Sequence, residues 1–535
     1  TLLAAIIASC AMVLSLTACT SDNKTVVDGQ TTVTSNSAGG VAVFTPSDGI
    51  TLNQQMPLNK WAKLVPDLTK ALVDAGFKKG DINHTTSDSL DKQSRAIQDF
   101  VVDHLSNNTT DDSGIAIAPD NMTLLVAPVV EADASTRQYG DYVSKNLSTN
   151  DVTDEGATSD GESSEDDSSK DDSSNTESDS TASDEQAQAV DRLVSSLKLA
   201  KESGMHVVLL GNSIEGYKPD AFVKFSDAQT IGKLQAEKMV SKLKLDKASK
   251  DNPKYIEVLL PYTAMDEKGN ANDSTFAQEA FRGIWQVLGS YYQKGVVESP
   301  SGTLDGKSTE NDWQAVAYDA AKEGSTAKVL DKRLAKTDGQ STLTRIDGII
   351  TMNDYIASEV VKELDDLGYT GSAADINPQI TISGIVGNIT GKKDLSRDAV
   401  PDPIKSPEND NANDSSSSDD DADKDTSASD KDRDSQWPLV TGYGAYVSNI
   451  PSIVNGKQWM TGMEDRQTIA TDIAQACAKL NKDEALNSMP SIRNSEVGGV
   501  KKIPTISEPL LAVSASNLKS ALIDPGYISL ADAGL

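Results

Sequence analysis

The sequence predicts an α/β protein of two lobes, each a doubly wound parallel sheet, interrupted by long acidic disordered insertions. Three observations carry this expectation. Residues 345–369, RIDGIITMNDYIASEVVKELDDLGY, read as a strand that turns directly into a helix. Strand-like and helix-like patterns then alternate in two series along the chain, each large enough for its own core. Finally, the net charge of −32 is concentrated in two stretches. Residues 151–187 hold 14 acidic residues and one Lys, residues 406–434 hold 11 acidic and three basic residues, and together they account for 21 of the 32 excess negative charges. The rest is ordinary, mildly acidic protein.

The 345–369 stretch is the clearest. Its isoleucine-rich run 346–352 has strand length, Ile356, Val360, Val361 and Leu364 recur at helical spacing, and Gly368 stands where a helix stop belongs. A strand feeding a helix is half of a βαβ unit. In open parallel sheets ligands bind just beyond the carboxyl ends of the strands, which is where Asn353 and Asp354 fall. Both residue types also cap helices.

The first series opens with a strand at 41–46 and an amphipathic helix marked by Trp61, Leu64, Val65, Leu68, Ala71 and Leu72, ending at Gly76. A polar stretch follows, then a helix carrying Ile97, Phe100, Val101 and Leu105, and a strand at 114–118 ending at Pro119-Asp120. An insertion of about 132–185 breaks the pattern; past Val152 it has almost no apolar residues, so it cannot offset its ordering entropy. A helix at 187–203 and a strand at 206–210 resume the series.

The second series starts with a strand at 221–225 and a helix capped by Ser226-Asp227. A strand at 255–260, a polar loop at 261–273, a helix at 276–293 and a largely helical 311–334 lead into the 345–369 unit. A strand at 380–386, a second acidic insertion of about 406–436, a strand at 437–441 and a helix at 468–480 complete it, with an irregular tail at 501–535.

Composition excludes several function classes. Acidic balance argues against nucleic acid or an anionic membrane surface as partner. The cysteines are Cys10, Cys19 and Cys477, and His84, His104 and His206 lack ligand spacing, so no disulfide framework, metal site or cofactor is expected. No Ser-His-Asp order, HExxH, P-loop or Rossmann glycine signature appears, which argues against an enzyme.

The apolar run 2–18 has signal-peptide length, and Leu16-Thr17-Ala18-Cys19 resembles the bacterial lipobox. The expectation is a signal peptide over 1–18 and a diacylglycerol-bearing Cys19 at the outer face of the cell membrane. Acyl chains contribute roughly 0.8 kcal/mol of anchoring per buried CH₂. Residues 19–40, rich in Ser, Thr, Asn and Gly, then read as a flexible stalk.

Several stretches, in order, resemble the extracellular sugar-binding proteins of ABC importers, which have the type I periplasmic-binding fold, and within that fold the xylose and multiple-monosaccharide group. They are LNKWAKLVPDLTKALVDAGF, IAIAPD, GMHVVLL, FVKFSDAQTIGKLQAE, IEVLL with NANDSTFAQEAFRGIWQVL, DGIITMNDYIASEVVKELDDLGY and TGYGAYVSNIPSIVNGKQWMT. The resemblance implies two lobes joined by a hinge that close over a mono- or oligosaccharide and present it to a membrane permease. It implies an N-terminal lobe at 41–216, a C-terminal lobe at 217–440, a segment at 441–480 returning to the first lobe, and a tail at 481–535 partly packed on the second. It also implies ligand contacts at Trp61, Asp120, Asp227, Asn270, Asn353 and Asp354. Asn212 and Tyr443 join that set in stretches where this chain departs from the family: Gly211-Asn212-Ser213 replaces an Asp-Arg pair, and Thr441-Gly442-Tyr443-Gly444 replaces Thr-Gly-Gln-Asp, so an acid is lost and an aromatic gained. The alternative is a surface sensor or adhesin on the same fold, with altered or no sugar binding.

Overall fold

The computed structural model describes residues 24–27, 30–33, 38–48, 57–107, 117–130, 136, 138–143, 145–148, 177–265, 271–335, 342–373 and 437–534. Cys19, Asn270, the strand expected at 380–386, most of the first acidic insertion and all of the second lie outside them.

The first described elements are β1 (Lys24–Val27) and β2 (Gln30–Val33), paired antiparallel within the expected stalk. Asp28-Gly29 between them is the sequence signal for a two-residue hairpin. The N-terminal lobe then uses β3 (Gly40–Pro46), α1 (Trp61–Asp74), β4 (Ile82–Ser87), α2 (Leu90–Asn107), β5 (Met122–Val126), β6 (Asn146–Leu147), α3 (Glu177–Glu202), β7 (His206–Leu210), β8 (Ser213–Ile214) and β9 (Ala221–Lys224). The C-terminal lobe follows with α4 (Ala228–Leu243), β10 (Lys254–Val258), β11 (Leu260–Pro261), α5 (Thr275–Gln293), β12 (Val297–Glu298), α6 (Trp313–Val316), β13 (Ala317–Tyr318), α7 (Ser325–Arg333), β14 (Gly348–Ile350), α8 (Asp354–Asp366), β15 (Leu439–Tyr443), α9 (Ile450–Val454) and β16 (Met460–Met463). Helix α10 (Arg466–Leu480) and strands β17 (Ile492–Val497) and β18 (Val500–Ser507) return to the first lobe, and β19 (Leu511–Ser514) to the second.

The first sheet runs β17-β18-β9-β7-β5-β3-β4, parallel except for edge strand β17. The second runs β12-β10-β14-β15-β16-β19, parallel except for edge strand β19. In both, the first five strands in sequence lie in the doubly wound order 2-1-3-4-5. Alternation builds the cores. In the first sheet Val41, Val43, Leu125, Val208 and Val223 face α1 and α10, while Phe44, Leu124, Val207 and Leu209 face α2 and α3. Trp61, Leu64, Leu68 and Leu72 form the buried stripe of α1 at spacings of a helix period.

Several expectations are corrected. Of the strand expected at 114–118, residues 114–116 lie outside the described residues and 117–118 are not in a strand; β5 starts after a tight turn at Pro119–Asn121 and is buried along its whole length. A parallel strand covered on both faces reads as a continuous apolar run, and MTLLVA is that run. Strand β9 pairs with β7, so the first lobe extends past 217. Of the segment 441–480, β15 and β16 stay in the second lobe's sheet and only α10 returns. The tail is not irregular: β17 and β18 complete one sheet and β19 the other. The stretch 311–334 breaks into two short helices separated by β13 and by Gly324 at φ 68°. Helix α3 begins ahead of the expected 187. Residues 138–143, within the expected disordered insertion, are ordered; Tyr139 and Tyr142 supply the apolar surface that the acidic run beyond Val152 lacks.

Among the described residues the chain crosses between lobes three times: after β9, after β16 and after β18. Three parallel connections between two rigid bodies make a hinge.

Candidate functional site

In the 2-1-3-4-5 order the winding reverses between the first and third strands, and loops leaving those two strands diverge to form a crevice. In the first lobe these are β3 and β5; in the second, β10 and β14. The β3 loop ends at Asn59, Lys60 and Trp61, and the β14 loop at Asn353 and Asp354. Trp61 is 2 % exposed, its ring 4.9 Å from Tyr142 and 5.5 Å from Phe225. Asn353 caps α8, accepting from the Ile356 amide at 2.9 Å, while its Nδ2 donates to Gln138 Oε1 at 3.1 Å. Trp61 and Asn353 come from different lobes, and residues 138–142 of the chain touch both.

Asp354 is enclosed. Its carboxylate accepts from the Tyr446 amide at 2.9 Å, Gln458 Nε2 at 2.7 Å and Thr461 Oγ1 at 2.8 Å. Burial pushes its pKa up to about 6 against those bonds. It therefore ties α8 to the β15 and β16 loops and offers a ligand no free oxygen lone pair that is solvent-facing, its exposure being 0 %. Tyr443 is likewise fully buried, with its hydroxyl 2.5 Å from Ser226 Oγ and donating to Glu464 Oε1 at 3.4 Å. Asn212 is buried between Pro128 O, to which it donates at 2.9 Å, and the Lys145 amide, from which it accepts at 2.9 Å.

Asp227 lies at the first crossing, where it caps α4 in a capping box with Thr230 and pairs with Lys224 Nζ at 2.9 Å. Asp120 is a correction. It lies in the turn that leads into β5, is exposed, and so stands at the amino edge of the sheet, opposite the crevice. There its carbonyl meets His206 Nε2 at 3.1 Å. Asn270 falls outside the described residues.

Sequence reading missed Glu464. It lies at the second crossing, 1 % exposed, and accepts from the Ser226 amide of the first crossing at 2.6 Å. Its own amide donates to Asn59 Oδ1 at 3.4 Å. Burial pushes its carboxyl up to about 7, so near neutrality it is partly protonated and able to donate. No periodicity marks it, because its partner is 238 residues away. Also missed were Gln138, Tyr139 and Tyr142, whose only signal was two tyrosines ahead of an acidic run. A separate groove of about 570 Å³ on the second lobe is lined by Tyr262, Met265, Trp313, Tyr318 and Asp319. Among the described residues no His/Cys/Asp/Glu cluster could hold a metal, and no helix is long and apolar enough to cross a membrane.

No protein-family model and no curated protein sequence matches the chain. Solved structures do. A solute-binding protein of an ABC transporter from Clostridium phytofermentans, with bound β-D-glucose, is 17 % identical over 92 % of this chain and 99 % of its own, with a TM-score of 0.44. A carbohydrate-transporter solute-binding protein from Chloroflexus aurantiacus, in complex with D-glucose, is 18 % identical over 93 % of this chain and 98 % of its own, with a TM-score of 0.43. A periplasmic ribose ABC transporter protein from Conexibacter woesei is 12 % identical over 91 % and 96 %, also at 0.43. Likeness at this level identifies no ligand for this chain.

Proposed function

We propose that the protein is a lipid-anchored solute-binding receptor that captures a sugar between its lobes and delivers it to an ABC import permease at the outer face of the membrane. The observation that supports this most is the meeting of Trp61 and Asn353, from the two winding-reversal points, around one shared cluster. Aromatic faces beside amide and hydroxyl groups suit a sugar, whose ring presents apolar C–H faces and a polar rim. The three crossings suit hinge closure, and a ligand would favour the closed form by its differential affinity for it. Cys19 is the proposed site of the lipid.

A second reading, a surface sensor or adhesin with altered or no sugar binding, is favoured by one observation. Trp61, Asn353 and Tyr443 are each 2 % exposed or less, so protein already covers the groups a sugar would touch.

Calorimetric titration of protein lacking residues 1–19 against mono- and oligosaccharides separates the two. Heat saturating at one site supports the receptor. Absence of heat with every sugar, for the wild type and for Tyr139→Ala alike, removes the sugar reading. Replacing Cys19 by Ala should release the protein from membranes; retention there would remove the lipid anchor.

A further inference from the structure

We infer that residues 138–143, with 145–147, are a built-in occupant of the interlobe crevice, a strap anchored on the N-terminal lobe whose Gln138 and Tyr139 latch the C-terminal lobe closed. This rests on the receptor reading only in taking the crevice as the ligand site.

The anchor is extensive. Asp141 pairs with Lys60 Nζ at 2.9 Å, accepts from the Trp61 amide at 3.0 Å, and donates its own amide to Asn59 O at 2.8 Å. The Tyr142 hydroxyl donates to Lys60 O at 2.5 Å, and its ring stacks on Phe225 at 4.7 Å. Further on, β6 pairs in parallel with β8: the Ser213 amide donates to Lys145 O at 3.0 Å and the Glu215 amide to Leu147 O at 2.8 Å. All of these partners belong to the first lobe.

The latch is short and points the other way. Gln138 receives Asn353 Nδ2 on its side-chain oxygen and the Tyr446 hydroxyl on its carbonyl, the latter at 2.7 Å. The Tyr139 ring lies 4.7 Å from Phe276 and 6.3 Å from Tyr443. Tyr139 and Tyr142 are 1 % exposed each, so protein covers both rings. Gly140 divides latch from anchor. Its φ is +94°, and a Cβ there would come within 2.6 Å of Asn59 O and 2.7 Å of Asn59 Cβ, so only glycine lets the strap lie this close to the first lobe.

The chemistry of the latch is that of a saccharide: one ring face against aromatic side chains, and oxygens that receive an amide N–H and a tyrosine hydroxyl. A ligand offering the same contacts would compete with Gln138 and Tyr139 for Asn353, Tyr446, Phe276 and Tyr443. Detaching two residues opens the crevice while Asp141, Tyr142 and β6 stay docked. The unliganded protein is therefore closed, and binding is weakened by the fraction of molecules whose latch is shut.

The test uses protein lacking residues 1–19, spin-labelled at Val102→Cys and Lys328→Cys on exposed helix positions of the two lobes. With Tyr139 intact the interlobe distance should be single and narrow without ligand; Tyr139→Ala should lengthen and broaden it. Sugar affinity should rise at least about tenfold in Tyr139→Ala if the crevice binds sugar. A longer distance in the variant with no sugar bound by either form supports the strap and overturns the sugar reading. Equal distances overturn the strap, as does sugar binding of equal strength in both forms, which leaves the receptor reading standing. Hydrogen exchange on the unaltered protein keeps the question decidable if the variant does not fold. The Trp61, Ser213 and Glu215 amides should exchange at least about 100-fold slower than exposed amides; exchange at the exposed rate overturns the strap.

Discussion

Replacing Glu464 by Gln should flatten the protein's loss of stability with rising pH. Burial lifts this carboxyl from its ordinary 4.5 to about 7, while in the unfolded chain it titrates near 4.5. The folded state thus holds the proton more tightly. The stability this confers is fully present below pH 4.5 and is lost as pH rises through 7. At about 1.4 kcal/mol for each tenfold in proton affinity, the group makes the folded protein about 3 kcal/mol less stable at pH 8 than at pH 4. Asp354 acts in the same direction, but between its ordinary 3.8 and about 6. Glu508, partly buried beside Asp472, is also raised to about 7, so the difference between wild type and variant, and not the wild-type curve alone, isolates Glu464. An amide keeps an oxygen to accept from the Ser226 amide and the Tyr443 hydroxyl, and has no proton to lose in this range. Urea unfolding of wild type and Glu464→Gln at pH 4.5, 6 and 7.5 measures the difference. The two should be close at pH 4.5, with the variant more stable by up to about 3 kcal/mol above pH 7. Parallel curves across the range would show that Glu464 reaches water, contrary to its 1 % exposure.

Other consequences are equally direct. Arg333→Met should cost about 3–5 kcal/mol, because it strips the cation 3.3 Å from the fully buried Glu257; the double variant with Glu257→Leu should cost less than the single, as read by denaturant midpoint. Asn353→Ala should lose about 1 kcal/mol for the α8 cap, whereas Asp120→Ala, exposed at the opposite sheet edge, should stay within about 0.5 kcal/mol and leave any ligand titration unchanged. Cys477 is buried and its thiol is pushed well up by burial, so a maleimide should label protein lacking residues 1–19 only as it unfolds; rapid labelling of the native form would contradict the packing of α10.

Local pattern reports whether a residue faces a core, and the sequence carries that record plainly. The stripe of α1, the strand–turn–helix at 345–369 and the Asn353 cap are legible because their partners lie within a few residues. Strand β5 escaped the sequence pattern because it is buried along its whole length and does not alternate; its pairing with β3 and β7 defines it. The tail gave no periodic signal for β19, a four-residue strand that exists through its antiparallel register with β16.

By itself, then, the amino-acid order determined two alternating α/β halves, the acidic interruptions and the residues at several strand ends. Tertiary structure alone decided which lobe each crossing strand joins, that Asp120 stands at the wrong edge, that Glu464 is sealed against Ser226, and that Gln138 and Tyr139 fill the gap between the lobes. The physical reason is separation along the chain. Periodicity encodes burial of one element against an unspecified neighbour, whereas Asn353 meets Gln138 across 215 residues and Tyr446 meets it across 308, and only the folded packing of both lobes specifies such partners.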